Sequence, residues 1–77
     1  MKNVKVYSTS TCSFCIRLKT FLDDNGVKYE NIDVSESDAE LEKMQEVSGQ
    51  MGVPVVDIDG EIVVGFDKDR ISELLGL

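Results

Sequence analysis

Short apolar runs and amphipathic stretches alternate along this chain, and the period of the pattern changes with them. In residues 3 to 8, Val4, Val6 and Ser8 alternate with Lys5 and Tyr7 in a segment rich in β-formers, which predicts a first strand. Ser8-Thr9-Ser10-Thr11 follows as a polar loop suited to capping a helix. Phe14, Leu18, Phe21 and Leu22 then recur at helical spacing, predicting a helix from Cys12 or Ser13 to Asn25. Gly26 supplies the left-handed residue that ends it. Val27, Tyr29, Ile32 and Val34 mark a second strand over residues 27–34. Its alternation slips between Tyr29 and Ile32, which predicts a bulge or an early end. Strand, helix, strand implies a right-handed crossover with parallel pairing.

The second half changes style. Ser37-Asp38-Ala39-Glu40 reads as a capping box opening a helix that runs to about Ser48, with Gly49 ending it. Leu41, Met44 and Val47 form its narrow buried stripe, where methionine is more often core than a sticky surface. Pro54, the only proline, precedes a third strand, Val55-Val56-Asp57-Ile58. Asp59-Gly60 is a two-residue hairpin signal, and Glu61-Ile62-Val63-Val64 returns antiparallel. A last helix takes Asp67 or Asp69 as its cap and turns Ile71, Leu74 and Leu75 inward. The predicted order is βαβαββα, an α/β fold with a four-stranded mixed sheet flanked by three helices on both faces. No repeat, linker or low-complexity segment interrupts it, so residues 1–77 read as one small domain. Such a chain leaves no room for a cofactor cavity, and a substrate is expected to be met at the surface.

The chemistry gathers where the first strand gives way to the first helix. Thr11-Cys12-Ser13-Phe14-Cys15 holds both cysteines of the chain, spaced Cys-x-x-Cys, and at a strand-to-helix junction this reads as a thioredoxin-like redox site. The backbone N–H groups of a helix's first turn lack partners inside the helix, and the dipole there is positive. Both favour a thiolate, which predicts a nucleophilic Cys12 with Cys15 one turn on, close enough to form a disulfide. A zinc site is the first competing reading, but four ligands are usual and the chain has no histidine and no further cysteine. Inert packing is the second; it suits Cys15 on the apolar face but not Cys12 among Ser and Thr. Helix-start amides, the Thr11 and Ser13 hydroxyls, and Arg17 or Lys19 are the candidates for supporting a thiolate; the two cations also read as plain surface charges.

Composition narrows the classes. An apolar fraction of 42% excludes a disordered tail. A net charge of −7 without a basic cluster argues against nucleic acid, and no apolar run approaches membrane length. The acidic surface suits solubility first and docking onto a basic protein patch second. A secreted domain of this size usually carries several disulfides as staples. Here Met1-Lys2-Asn3 leads straight into the first strand without a signal-peptide pattern. A monomer in the reducing cytoplasm is the expectation.

By this point the chain resembles a glutaredoxin over nearly its whole length. The resemblance rests on Cys12-Ser13-Phe14-Cys15, on Gly52-Val53-Pro54 before the third strand, and on Gly65-Phe66-Asp67-Lys68-Asp69 before the last helix. It implies the glutaredoxin branch of the thioredoxin fold and a thiol–disulfide oxidoreductase with no tightly bound cofactor. Cys12 would be the attacking thiolate and Cys15 the resolving thiol, with Phe14 beside the site. Pro54 would be a cis proline presenting the Val53 backbone to the substrate; a trans proline starting an edge strand is the plain alternative. Thr11, Ser13, Gly65, Phe66, Asp67 and Asp69 would line the substrate site, Asp69 or Asp67 receiving a glutathione ammonium unless it only caps the helix.

The sequence also departs from the family pattern. Ser13 stands where proline is common, Thr9 and Met51 stand where basic residues are frequent, and Phe66 fills the second place of a Gly-Gly pair. In glutathione-using members those places help hold the tripeptide's carboxylates. The Gly-Phe pairing is similar to that of glutaredoxin-like redoxins that serve ribonucleotide reductase and take electrons from thioredoxin reductase. The expected partners are therefore a disulfide-containing protein or small disulfide, with glutathione or thioredoxin reductase as electron source. A cluster-carrying or zinc-binding dimer is the alternative of another class, and Cys15 counts against it because cluster-binding members mostly keep a single cysteine.

Overall fold

The computed structural model describes residues 3–77; the Met1-Lys2 lead-in lies outside them. The order is β1 (Val4–Ser8), α1 (Ser13–Asp24), β2 (Glu30–Asp33), α2 (Asp38–Ser48), β3 (Val55–Ile58), β4 (Glu61–Val64) and α3 (Lys68–Leu75). The strands form one mixed sheet in the order β2-β1-β3-β4. β1 pairs parallel with β2, while β3 runs antiparallel to both β1 and β4. The βαβαββα order and the mixed sheet are those the pattern predicted.

Side-chain alternation divides the core into two layers. Val4 and Val6 of β1, Val56 and Ile58 of β3, and Val63 of β4 pack with Leu18 and Leu22 of α1 and Ile71 of α3. On the opposite face Tyr7 and Val55 pack with Val34 and Met44, joined by Ile32, Leu41, Val53 and Ile62. Tyr7, out of phase with Val4 and Val6, is buried because β1 is central and covered on both faces. Burying each such large apolar side chain stabilises the fold by about 1.5–3 kcal/mol.

Three expectations are corrected. β2 does not begin at Val27: its ladder with β1 starts at Lys5↔Glu30, and Val27 and Tyr29 pack against the core without strand pairing. The slip in alternation therefore marks a late start rather than a bulge. Val47 does not belong to the buried stripe of α2. The small face beneath α2 is filled by Met44 and Leu41, and Val47, outside that cluster, is 41% exposed. The capping box is half formed. Ser37 Oγ accepts from the Glu40 N–H at 3.3 Å, but Glu40 Oε2 is buried without a partner. Burial first, and the Glu40 carboxylate second, push the Tyr7 phenol up.

The turns follow their residues. Asp59 and Gly60 both take positive φ, 50° and 92°, the geometry a two-residue hairpin requires. Asp67, not Asp69, caps α3, accepting from the Arg70 N–H at 3.2 Å. Among the described residues no helix is long and apolar enough to cross a membrane.

Candidate active site

α1 begins with a cysteine in the place of its cap. Cys12 is extended (φ −88°, ψ 113°), its C=O accepts the first helical bond from Ile16 at 3.2 Å, and its N–H reaches Thr9 O at 3.4 Å. Helix caps are usually oxygen-bearing side chains that accept from the first turn. Here Sγ takes that part: the Cys15 N–H donates to Cys12 Sγ at 3.2 Å. The donor stays in place when the sulfur becomes an anion, as a charge-stabilising group should.

The two sulfurs live in different surroundings. Cys12 is partly exposed, while Cys15 is fully buried at the inner face of α1. Burial and the adjoining Cys12 push the Cys15 thiol up to about 11. Near neutrality Cys15 is therefore a protonated thiol beneath an accessible Cys12. The residues are free cysteines, so the site stands in its dithiol form.

The loop before β3 completes the site. The Val53–Pro54 bond is cis, as the resemblance implied, and the Cys12 thiol approaches the Val53 carbonyl at 3.9 Å. The Gly65 N–H donates to Pro54 O at 2.8 Å, tying the end of β4 to this loop, with Gly65 at φ 80°. Phe14 is 57% exposed and Met51 63%, placing apolar side chains on both segments that flank Cys12. Phe14 thus leaves the inward stripe of α1 to Cys15, and the Arg17 guanidinium lies 5.7 Å from its ring centroid.

The other sequence candidates have these surroundings. Thr11 and Ser13 are exposed, and neither hydroxyl makes a hydrogen bond among the described residues, so the Cys15 amide rather than a hydroxyl supports Cys12. The Phe66 ring packs on Phe21 at 5.8 Å between centroids. Phe66 is half-buried and packs against the core cluster of Leu18, Leu22 and Ile71. Asp67 is occupied as a cap, while Asp69 is exposed in the first turn of α3.

One group was read as a surface charge and is more than that. Lys19 Nζ reaches Ser8 Oγ at 3.5 Å and Asn31 Oδ1 at 3.4 Å, and Ser8 Oγ donates to Asn31 Oδ1 at 2.7 Å. The signal for this cluster was Ser8 itself, a polar residue continuing the inward phase of Val4 and Val6. It is 1% exposed.

An open cleft of about 740 Å³ exists, lined by Asn3, Val4, Gly26, Val27, Tyr29 and Leu75 among others. It opens where Val27–Tyr29 fails to join the sheet, at the far end of β1 from the cysteines, and has no part in their chemistry. Among the described residues no group of three or more His, Cys, Asp and Glu could hold a metal ion.

Comparison with known proteins agrees with this geometry. The family model for glutaredoxin matches residues 4–63. A glutaredoxin-like 8.6 kDa protein of the rubredoxin operon of Clostridium pasteurianum is 40% identical over 72 residues, spanning 94% of this chain and 96% of that one. The crystal structure of a mutant thioredoxin-like protein superposes with a TM-score of 0.91 at 36% identity, covering 99% of this chain and 97% of that one. The NrdH-redoxin of Escherichia coli superposes with a TM-score of 0.85 at 25% identity, covering 94% and 93% of the two chains. The fold is the thioredoxin fold, and the chain belongs to the glutaredoxin family.

Proposed function

We propose that this protein reduces protein disulfides by a dithiol mechanism and is itself recharged by a thioredoxin-reductase-type flavoprotein rather than by glutathione. The observation that carries the dithiol part is the pairing of an accessible, amide-supported Cys12 with a buried, protonated Cys15. The Cys12 thiolate attacks one sulfur of the substrate disulfide. A Cys12–substrate disulfide forms, and the second substrate sulfur leaves with the electron pair and takes up a proton. Cys15 then attacks Cys12, the mixed disulfide breaks, and the remaining substrate thiol departs reduced, leaving Cys12–Cys15 oxidised. The Val53 backbone, beside Cys12 and just before β3, is placed to pair with a substrate strand.

The choice of reductant rests on charge. Glutathione carries two carboxylates, and Thr9 and Met51 offer no cation for them. Lys19 is held by Ser8 and Asn31, and Arg70 is paired with Glu61 and Glu73. Exposed Phe14 and Met51 instead favour an apolar protein surface. The E. coli NrdH-redoxin, a glutaredoxin-like protein, is described as having a thioredoxin-like activity profile. Such a system works in a reducing compartment, so a cytoplasmic location is part of the proposal.

The test follows NADPH oxidation with a protein disulfide under two supplies, glutathione with glutathione reductase, and thioredoxin reductase alone. Turnover with thioredoxin reductase only is expected. Turnover with glutathione at comparable rate would overturn the reductant, and disulfide reduction persisting in Cys12→Ser would overturn the mechanism.

A further inference from the structure

Resting on the dithiol reading above, we propose that Lys19, clamped by Ser8 and Asn31, is a positioning residue for the second half of the reaction, its ammonium favouring the Cys15 thiolate as it attacks the mixed disulfide. Lys19 lies four residues beyond Cys15 on α1, so the two share a face. Long helical side chains lean back over the preceding turn, which carries the Lys19 stem toward Cys15. The clamp comes from two strands. Ser8 ends β1 and Asn31 lies in the neighbouring β2, both reaching Nζ. The Ser8–Asn31 bond at 2.7 Å ties the two anchors to each other.

The nature of the anchors is the telling feature. Serine and asparagine hold the ammonium by hydrogen bonds without neutralising it, and Lys19 makes no ion pair among the described residues. A salt-bridged lysine would spend its field on its partner. Here the charge is held half-buried, outside any ion pair among the described residues, one helical turn from a buried thiol that must ionise. The charged groups acting on Cys15 are Cys12, which opposes its ionisation, and Lys19, which favours it. Asp33, at the end of β2, is the carboxylate that also feels Lys19.

The balance changes at the right moment. In the dithiol, burial and Cys12 both keep Cys15 protonated, while Lys19 and a backbone hydrogen bond from Thr9 oppose them. Once Cys12 is in a mixed disulfide, its sulfur carries no charge, and its opposition to the Cys15 thiolate falls away. Burial then stands alone against Lys19 and Thr9. Cys15 gives up its proton, attacks Cys12 Sγ and forms the Cys12–Cys15 bond. The Cys12–substrate bond breaks, its electron pair leaves on the substrate sulfur, and that sulfur takes a proton from solvent. No further oxidant is needed, because the substrate disulfide is the oxidant.

The experiment separates the two half-reactions with bis(nitrothiobenzoate) disulfide, whose halves absorb on release. Cys12 attack liberates the first half, and Cys15 resolution liberates the second. In Lys19→Met the first phase should keep its rate while the second slows, and the pH midpoint of the second phase should move up. Each pH unit of that movement should slow resolution at neutral pH about threefold, a tenfold loss of thiolate being partly offset by greater intrinsic nucleophilicity. Lys19→Arg should restore the second phase. Asn31→Ala, at an exposed position, should shift the second phase in the same direction by releasing the clamp, and serves if Lys19→Met fails to fold. An unchanged second phase and pH profile in the folded variant would overturn the inference, as would equal slowing of both phases. Absence of the first phase in the unaltered protein would instead overturn the oxidoreductase reading on which it rests.

Discussion

At the scale of residues, the site works by giving two identical thiols different surroundings. Cys12 is partly exposed with an amide on its sulfur, and Cys15 is buried with its thiol pushed up to about 11. Limiting iodoacetamide at about pH 8 should therefore place one adduct, on Cys12, since thiolate and exposure both govern alkylation. Peptide mapping that found Cys15 labelled at a similar rate would contradict the division. The same asymmetry fixes a pH dependence. The folded state holds the Cys15 proton to about 11, whereas the unfolded chain releases it from 9.0 upward. As pH rises the unfolded state binds fewer protons, so stability is full below about pH 9 and falls toward about pH 11. Tyr7 and Tyr29, both raised by burial, act in the same sense. Urea midpoints of the reduced protein at about pH 8 and about pH 10.5 should show the loss, and Cys15→Ala should show less of it. An equal loss in both proteins would assign the effect to the tyrosines. The spacing of Cys12 and Cys15 was legible in the sequence. So was a helix-start amide as support for Cys12, because that contact spans only three residues; the clamp on Lys19 was not, because it joins α1 to two strands through the fold.

Among the elements, α2 tests how periodicity relates to burial. Leu41, Met44 and Val47 share a helical stripe in sequence, yet only Met44 is fully buried and Val47 is 41% exposed. Met44→Ala should destabilise by about 2–5 kcal/mol, and Val47→Ala by less than about 0.5 kcal/mol, measured by urea unfolding at neutral pH. Similar costs for the two would restore the three-residue stripe. The half-formed capping box makes a related point. Ser37→Ala should cost about 1 kcal/mol by losing the bond to the Glu40 N–H. Periodicity told which residues face one way. It could not tell how far the opposing surface extends, since that depends on strands distant in sequence.

For the whole molecule, charge is the governing quantity. A net charge of −7 on a small surface steers encounter toward basic partners. A disulfide peptide flanked by lysines should react several-fold faster than one flanked by glutamates, with the gap closing as ionic strength rises past physiological values and screening shortens the field. Stopped-flow rates across a salt series would show this, and a salt-independent ratio would mean that local contacts at Phe14 and Met51 dominate. The cleft between Val27–Tyr29 and the C-terminal helix belongs to this scale too. It was invisible in the sequence because Val27 and Tyr29 carry the apolar character of strand residues while finding no pairing partner.

The sequence alone determined the order of elements, the hairpin turn, and the Cys-x-x-Cys at a helix start. All of these are written in neighbours along the chain, where propensity, spacing and hydrogen bonding act locally. Only the tertiary structure decided the rest. It placed Tyr7 inside a sheet covered on both faces, sent Phe14 outward, and put the Phe66 ring on Phe21. It brought the Val53 carbonyl to Cys12 and gathered Ser8, Lys19 and Asn31 behind the site. Burial and electrostatic field are properties of surroundings assembled in space, and they turn two cysteines of identical chemistry into one exposed nucleophile and one guarded thiol.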